Sequence, residues 1–449
     1  MKKTDSVRLT EGVIWKQILA FAWPVLLSSI FQEVYNLTNS MIVGNYISTK
    51  ALSAVSATSS LINILTFFFA GLATGTGIVV AQYYGANKTD KLKQSIGTVL
   101  ILALLIGGGI TIAMELLTPF LFRITNVGTE IYHDAEIYFR FFVLGSIAVL
   151  MYSMVFYLLR SIGDSRHPLY YLIFSCALNV VLGMLFIQVF HWEIAGVAIA
   201  TILSELVVDV LSLRLLFRMD EFKLRKEDLK LDKEVAVRII SIGIPAAIQN
   251  MLIALSSMMI QSYINQFSVE AIAGIGVGQR VANWAQMPLI ALSTVVSSFV
   301  GQNMGAGKYE RVYEGVRFVV ILSLFITGGC IALIYYYAFD LIGLFDSDTE
   351  VIYYGTKMCR VLLPSYILLV FSHIYNSACR GAGNIRIPLH IAVFSQCVFR
   401  LIFVYVAFKF TDSINVIYLS GALCFSLAGV LAFVYYNYGS WTKNHHLRP

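Results

Sequence analysis

Charged side chains are scarce in this sequence. Aspartate, glutamate, lysine and arginine together make up 13% of the 449 residues, whereas hydrophobic residues make up 58%. Soluble globular domains are about 25% charged, so this composition excludes a soluble protein of this length. Cysteine is rare as well, and the six cysteines show neither metal-ligand spacing nor a disulfide framework. We therefore expect them to pack in the core, and we expect no cofactor and no metal ligand set; the sequence assigns no sodium site.

Patterns that define several other protein classes are absent. There is no glycine-rich phosphate loop followed by Lys-Ser or Lys-Thr, which argues against nucleotide hydrolysis. No stretch alternates apolar and polar residues as the strands of a membrane β-barrel do. The first apolar run is too long for a cleavable signal and lacks a small-residue cleavage site. The formal net charge of +6 is spread over many loops, so no nucleic-acid partner is expected.

Long apolar segments occupy most of the chain. A helix needs about 20 predominantly apolar residues to cross a bilayer, and most of the segments exceed that length. We therefore predict an all-α membrane protein with twelve transmembrane helices. The segments span residues 14–47, 51–82, 95–122, 134–159, 168–190, 194–217, 238–266, 271–302, 315–344, 351–379, 388–409 and 413–439.

The basic residues are distributed unevenly between the two sets of loops. Of 32 lysines and arginines, 24 lie at or next to the two termini and the loops around 83–94, 160–168, 214–238, 303–317 and 380–388. The alternate loops hold only Lys50, Arg123 and Lys409. Because loops rich in lysine and arginine stay on the cytoplasmic side, we expect both termini to be cytoplasmic.

The sequence repeats itself at an offset of 220 or 221 residues. The matching texts are Ala81–Ala86 with Gly301–Ala306, Arg160–Asp164 with Arg380–Asn384, Arg166 and Pro168 with Arg386 and Pro388, and Pro24 with Pro245. So many matches at one offset indicate an internal duplication. Each half holds six segments, so the halves have the same orientation, and we expect a pseudo-two-fold axis along the membrane normal to relate them.

The duplication predicts how the chain is organised. We expect a cytoplasmic N-terminal segment (1–13), an N-lobe (14–218), a cytoplasmic linker (219–237), a C-lobe (238–440) and a cytoplasmic C-terminal tail (441–449). The Gly-Ala pairs at 85–86 and 305–306 predict equivalent helix ends, with glycine in the left-handed conformation.

The first segment carries a polar stripe inside an apolar run. Its only charge between Lys16 and Lys50 is Glu33, and Pro24, which removes a backbone donor, is the expected bending point. Spacings of three and four place the polar residues on one helix face. They are Ser29, Gln32, Glu33, Asn36, Asn39 and Ser40. A polar face on a membrane helix points to a cavity or a partner helix, so the stripe is a candidate binding surface.

Taken together, several of these texts resemble the MATE family (multidrug and toxic compound extrusion), in the prokaryotic branch named after DNA-damage-inducible protein F. The matching texts are Leu9–Gly12, Phe31–Asn36, Ile42–Gly44, Gly85–Ala86, Leu159–Asp164, Gly301–Ala306 and Arg380–Asn384. The resemblance covers nearly the whole chain. It implies an antiporter of the bacterial inner (plasma) membrane that expels organic cations in exchange for H⁺ or Na⁺, with two six-helix lobes forming a V around a central cleft. We expect a monomer surrounded by membrane lipid.

The sequence departs from that family at two positions that often carry aspartate. In the first segment the position is Asn39, and in the fifth it is Gly183, four residues after the retained Asn179. Neither Asn39 nor Gly183 can ionise. The remaining carboxylates of this half, Glu33 and then Glu205, become the candidates for coupling.

The full set of candidate residues for ion coupling or substrate binding comes from both halves. They are Gln32, Glu33, Tyr35, Asn36, Asn39, Asn179, Glu205, Gln249, Arg280, Trp284 and Arg400. Arg280 and Arg400 are charges inside segments, and a structural ion pair is the alternative to a functional role for each. Glu33 has two interpretations: it binds a proton or a cationic substrate in turn, or it forms a fixed ion pair, for example with Arg280. Asp209 follows Glu205 by one turn, nearer the cytoplasmic end.

Two other function classes compete with the antiporter. A flippase for a lipid-linked oligosaccharide needs many arginines in its cleft to hold a pyrophosphate, and this chain has few. A membrane-embedded enzyme is suggested only by Asp346-Ser-Asp348, which resembles a nucleotide-sugar metal motif. That motif falls in a short loop predicted to be external, where a solvated acidic turn explains it better.

The topology can be tested by labelling single cysteines, introduced into a variant that lacks the native six. A cysteine at Lys50 or Lys409 is expected to react with an impermeant thiol reagent added to intact cells. A cysteine at Lys223 or Lys308 is expected to react only after permeabilisation. Labelling of Lys223→Cys in intact cells would contradict the orientation inferred from the basic loops and from the repeat.

Overall fold

A computed structural model describes residues 7–46, 49–125, 127–219 and 224–441, apart from the side chains of residues 36, 37, 39–46, 49, 52, 193 and 226. Almost all of this chain is α-helical, because a helix satisfies its own backbone hydrogen bonds inside hydrocarbon. The helices are α1 (Ile14–Tyr46), α2 (Thr49–Gly85), α3 (Thr89–Ile124), α4 (Tyr132–Leu144), α5 (Ser146–Ser161), α6 (Arg166–Gln188), α7 (Glu193–Arg218), α8 (Lys233–Ile264), α9 (Val269–Gly305), α10 (Tyr309–Gly343), α11 (Thr349–Leu362), α12 (Tyr366–Gly381), α13 (Arg386–Val393), α14 (Arg400–Ala407) and α15 (Asn415–Tyr438).

Eleven helical stretches of the described chain are long and apolar enough to cross a membrane. A twelfth is formed by α4 and α5 together, which are bent by 48° where they meet at Gly145. A Cβ atom at Gly145 would lie 2.5 Å from Cγ1 of Ile202, so α7 packs tightly against this bend. The prediction of an all-α membrane protein with twelve transmembrane helices is confirmed.

Several helices begin before the apolar segments that predicted them. Helix α3 begins at Thr89, α8 at Lys233 and α10 at Tyr309, each more than a turn before its segment. The acidic residues in these first turns are Asp90, Glu234 and Glu310. Negative charge stabilises a helix N-terminus, which explains why the helices extend into charged sequence.

The internal repeat is visible in the backbone. Helices α2 and α9 end at Gly85 and Gly305, as predicted. The expectation that these two glycines are left-handed is wrong. The left-handed residues come two positions later, at Asn87 (φ 53°) and Gly307 (φ 69°), because the helical conformation continues through the Gly-Ala pair.

A second pair of equivalent turns is also left-handed, at Gly163 (φ 89°) and Gly383 (φ 86°). At Gly163 a side chain would overlap the carbonyl oxygen of Val7, whose N–H donates a 3.0 Å hydrogen bond to the carbonyl of Gly163. Glycine is required there for its conformation and also for the close approach of the N-terminal segment.

The chain divides into two compact units. Unit 1 consists of the described residues within Met1–Arg8 and Leu27–Ala247, and unit 2 of those within Leu9–Leu26 and Ile248–Pro449. Helices α1 and α8 therefore each belong partly to one unit and partly to the other. The two points of change are 221 residues apart, which is also the offset between Pro24 in α1 and Pro245 in α8.

Backbone carbonyls fix the segment of unit 2 that precedes α1. Leu9 is fully buried, and its carbonyl accepts hydrogen bonds from Asn303 Nδ2 (3.2 Å) and Arg311 Nε (3.3 Å). The Arg311 guanidinium also donates to the carbonyls of Glu11 and Gly12, at 2.8 Å each. One arginine at the start of α10 thus holds three carbonyls of this segment.

The segment that leads into α8 is held against α3 within unit 1. Asp232 accepts hydrogen bonds from the Val235 amide (3.0 Å) and from Lys91 Nζ (3.2 Å), and its own amide donates to Thr98 Oγ1 (3.0 Å). The Val235 hydrogen bond, with a further contribution from Lys91, lowers the pKa of the Asp232 carboxyl from its ordinary value.

In unit 1, α2 approaches α8 through glycines. A Cβ atom at Gly75 would lie 2.5 Å from the carbonyl oxygen of Ile239 and 2.7 Å from the amide nitrogen of Gly243. Small residues at such positions let membrane helices pack backbone to backbone. Gly109 on α3 is the opposite case, because no atom lies within 4 Å of a Cβ built there.

This contrast gives a matched test of packing. Gly75→Ala is expected to destabilise the protein by about 1–3 kcal/mol, because two backbones must separate to admit the methyl group. Gly109→Ala is expected to be neutral or stabilising by up to about 1 kcal/mol, because alanine favours helix more than glycine does. Thermal unfolding of the purified proteins measures both. Equal melting temperatures for the two variants would contradict the close α2–α8 packing.

Candidate functional site

Polar residues form a column along one face of α7 in unit 1. Thr201, Glu205, Asp209 and Ser212 follow one another at spacings of four, four and three, so they lie above one another on the helix. The rest of α7 is largely apolar from Ile194 to Leu216. A polar face inside such a helix is unfavourable against lipid and therefore indicates an interior site.

The upper end of this column is fully hydrogen-bonded. Asn179 on α6 is 3% exposed, and its Nδ2 donates to Thr201 Oγ1 at 3.0 Å. The Thr201 hydroxyl in turn donates to the carbonyl of Val197 at 3.1 Å. The candidate Asn179 therefore bridges α6 and α7, one turn away from Glu205. Gly183, where the resembling family often has aspartate, follows on α6.

The middle of the column is not hydrogen-bonded. Asp209 is 5% exposed, and neither of its carboxyl oxygens has a hydrogen-bond partner among the described residues. The same holds for the buried Oε2 of Glu205. The neighbouring core is apolar, with Phe156, Leu172 and Val208 in contact. Two acidic side chains thus lie in an environment that strongly disfavours negative charge.

Another charged group of unit 1 shows the opposite arrangement. Arg140 on α4 donates to Glu115 on α3 at 2.6 Å and to Glu136 at 2.8 and 3.0 Å. These three residues are ion-paired across two helices, which is the usual way to keep charge inside a membrane protein. The sequence did not reveal this pairing, because the partners are 25 residues apart.

The candidates on α1 belong to the part of the helix in unit 1. Gln32 is exposed, and Glu33 and Tyr35 are half-buried. No hydrogen bond or ion pair joins Glu33 to another residue whose side chain the structure describes. The side chains of Asn36 and Asn39 lie outside the described residues.

The remaining candidates belong to unit 2. Gln249 is 7% exposed, and its Oε1 has no hydrogen-bond partner among the described residues. Arg280 is exposed, and Trp284 packs against Phe345 with ring centroids 6.0 Å apart. Arg400, half-buried, donates through Nε to Ser420 Oγ at 3.4 Å.

A turn of π-helix, Phe394–Phe399, comes directly before Arg400. The carbonyl of Gln396 within it accepts a 2.9 Å hydrogen bond from Ser256 Oγ of α8. Such bulges are frequent at functional sites, and this one displaces Arg400 relative to a regular helix.

The structure therefore brings only some of the predicted residues together. Asn179 and Glu205 share the α6–α7 contact, whereas Glu33 and Arg280, the suggested ion pair, belong to different units. Sequence reasoning missed Thr201 and did not treat Asp209 as a partner of Glu205. The regular spacing of four along α7 was the available signal. Among the described residues there is no group of three or more His, Cys, Asp or Glu side chains able to hold a metal ion.

Comparison with known proteins agrees with this architecture. The sequence profile of the MatE family matches residues 24–185 and again residues 245–406, two stretches whose ends are both 221 residues apart. "Probable multidrug resistance protein YoeA" of Bacillus subtilis (strain 168) is 30% identical over 391 residues, covering 85% of this chain and 84% of that protein. "Probable multidrug resistance protein NorM" of Thermotoga maritima is 25% identical and covers 88% of this chain and 86% of its own length.

Solved structures share the fold over the whole chain. One, described as the "Outward-facing conformation of a multidrug resistance MATE family transporter of the MOP superfamily", superposes with a TM-score of 0.90 at 21% identity. The superposition covers 97% of this chain and 98% of the other. The fold is that of a transporter with two lobes, and the relatives are multidrug transporters. The resemblance seen in the sequence is confirmed, and the chain belongs to the MatE (MATE) family of multidrug transporters.

Proposed function

We propose that this multidrug transporter is a secondary active antiporter that exports lipophilic organic cations in exchange for H⁺ or Na⁺. The observation that carries the proposal is the pair of buried carboxylates on α7, Glu205 and Asp209, whose oxygens lack hydrogen-bond donors among the described residues. A carboxylate in an apolar interior is stable only when a proton or a cation neutralises it. Such a group exchanges one cationic occupant for another.

Competition between two cations is sufficient for antiport. If a proton and an organic cation cannot occupy the same carboxylates together, binding of one favours release of the other. Each ligand then stabilises a different conformational state, which is the requirement for alternating access. We propose that the two lobes of a single chain perform this cycle in the plasma membrane, as a monomer, with both termini in the cytoplasm.

The driving force is proposed to be an ion gradient. The sequence contains no phosphate-binding loop, so nothing in it supplies energy from ATP. Glu33 is proposed as a further site for the coupling ion or substrate, because it is the one charge inside the polar stripe of α1 and has no ion-pair partner among the described side chains.

Efflux from cells tests the proposed function. Expression in a host that lacks its own pumps is expected to lower the accumulation of at least one lipophilic organic cation, such as ethidium. Dissipating the ion gradient is expected to abolish the effect. Depleting ATP while the gradient is clamped is expected to leave it unchanged, with cells carrying the empty vector as the control. Efflux that follows ATP at a constant gradient would reject the antiporter.

The role of Glu33 is tested by Glu33→Gln, which keeps the shape of the side chain and removes its ionisation. The variant is expected to fold and reach the membrane but to lose gradient-driven efflux, because it can no longer bind a proton or attract a cation. Glu130→Gln, a change at an exposed residue outside the spans, is the control and should transport normally. Wild-type efflux with an unchanged pH profile in Glu33→Gln would dismiss the coupling role.

A further inference from the structure

Two carboxyl groups one helical turn apart share the interior of unit 1. Side chains at this spacing have Cβ atoms about 5–6 Å apart, so the carboxyl groups of Glu205 and Asp209 are neighbours. The Asp209 oxygens and Glu205 Oε2 are buried and accept no hydrogen bond from the described residues. Two negative charges this close in a low dielectric repel each other strongly, and one ionisation suppresses the other. The pair is therefore stable only with a cation shared between its members.

Further buried polar groups without partners accompany the pair. Ser212, three residues after Asp209 on the same face, is 1% exposed, and its Oγ is unpartnered in the described part of the chain. Nε of Arg160 on α5 is also buried, with no partner among the residues described. Native proteins leave few buried polar groups unsatisfied, so several of them in one region indicate an occupant.

The neighbouring helices α4, α5 and α6 bring other titratable groups to α7. From α5, the Tyr152 phenol interacts electrostatically with both carboxyl groups and with Arg160. From α6, Cys176 belongs to the same group, and the Tyr171 hydroxyl donates to the carbonyl of Leu211 at 3.4 Å. From α4, Tyr138 packs against Val197, two turns before Glu205.

Arg160 supplies one positive charge to this group. That charge balances one ionised carboxyl group, and the second carboxyl group remains to be neutralised. A proton does so without requiring space or a coordination shell. A hard metal cation takes about six or more oxygen ligands, which the few oxygens along this face of α7 do not supply. Arg160 also repels a metal ion.

We propose that Glu205 and Asp209 form a proton-sharing pair that holds one proton between them and serves as a coupling site of the antiporter. The inference rests on the proposed function and deepens it by naming the ion and its site. The proton is bonded to an oxygen of one carboxyl group and hydrogen-bonded to the other, so the pair carries one negative charge. When the O–H bond breaks and the proton leaves, a monovalent organic cation takes its place and the net charge is unchanged.

Infrared spectroscopy of the purified full-length protein tests the pair without reference to transport. At neutral pH the wild type is expected to show the carbonyl band of a protonated carboxylic acid. Glu205→Gln and Asp209→Asn are each expected to remove it, because the remaining carboxyl group, relieved of its like-charged neighbour, ionises beside Arg160. Glu115→Gln, a buried carboxylate whose ion-pair partner Arg140 keeps Glu136, is the control and should retain the band.

Conservative variants guard against a failure to fold. Glu205→Asp and Asp209→Glu keep two carboxyl groups and are expected to keep the band, whereas a loss of folding would be visible in size-exclusion chromatography. Replacing choline chloride by sodium chloride is expected to leave the band in place. Loss of the band in sodium would show a metal site and overturn the assignment of the proton.

Efflux in proteoliposomes provides the second readout. Either neutral substitution is expected to lower proton-driven efflux about tenfold or more, and the double variant is expected to be no worse, because residues that act as one unit are not additive. Additive losses would overturn the pair.

The two readouts separate the proton pair from the proposed function. If the wild type lacks the band, or both neutral variants keep it, while efflux remains gradient-driven, the proton pair is wrong and the antiporter stands. If the band behaves as expected but efflux ignores every ion gradient, the pair stands and the proposed antiport is wrong.

Discussion

A charge inside a hydrocarbon layer is unfavourable by at least a few kcal/mol, and the rest of this structure depends on that constraint. It keeps 24 of 32 lysines and arginines at the termini and in one set of loops. Inside the spans it leaves two options, pairing or function. Arg140 with Glu115 and Glu136 represents the first option, and Glu205 with Asp209 represents the second. The two groups belong to the same unit, so the contrast lies in their partners and not in their depth alone.

The two halves share a fold but have diverged in charge. Carboxylates inside the spans of the first half include Glu205 and Asp209, whereas the spans of the second half carry Arg280 and Arg400. The backbone nevertheless repeats closely, because left-handed residues recur at the same offset as the helix ends. Helix ends and packing are retained by duplication, while the interior side chains are free to change.

The sequence was sufficient to predict the helices, their number and the repeat, because these follow from apolar length and from matching loop texts. It was not sufficient for features that depend on contacts between distant residues. The bend at Gly145 needs Ile202, and the π-turn before Arg400 is completed by Ser256. The partner of Asn179 is Thr201, 22 residues away, and no local pattern predicts that pairing. Helix ends were misplaced where charged first turns extended the helices beyond the apolar core.

The division of α1 and α8 between the two units has a consequence for biosynthesis. Residues 9–26 emerge first from the ribosome, yet the groups that hold them, such as Asn303 and Arg311, are made almost 300 residues later. Unit 1 likewise needs the first part of α8, which belongs to the second half of the sequence. Neither lobe can be completed on its own during translation. Separating the gene at the linker would therefore yield two fragments that must assemble with each other, and not two independently folding domains.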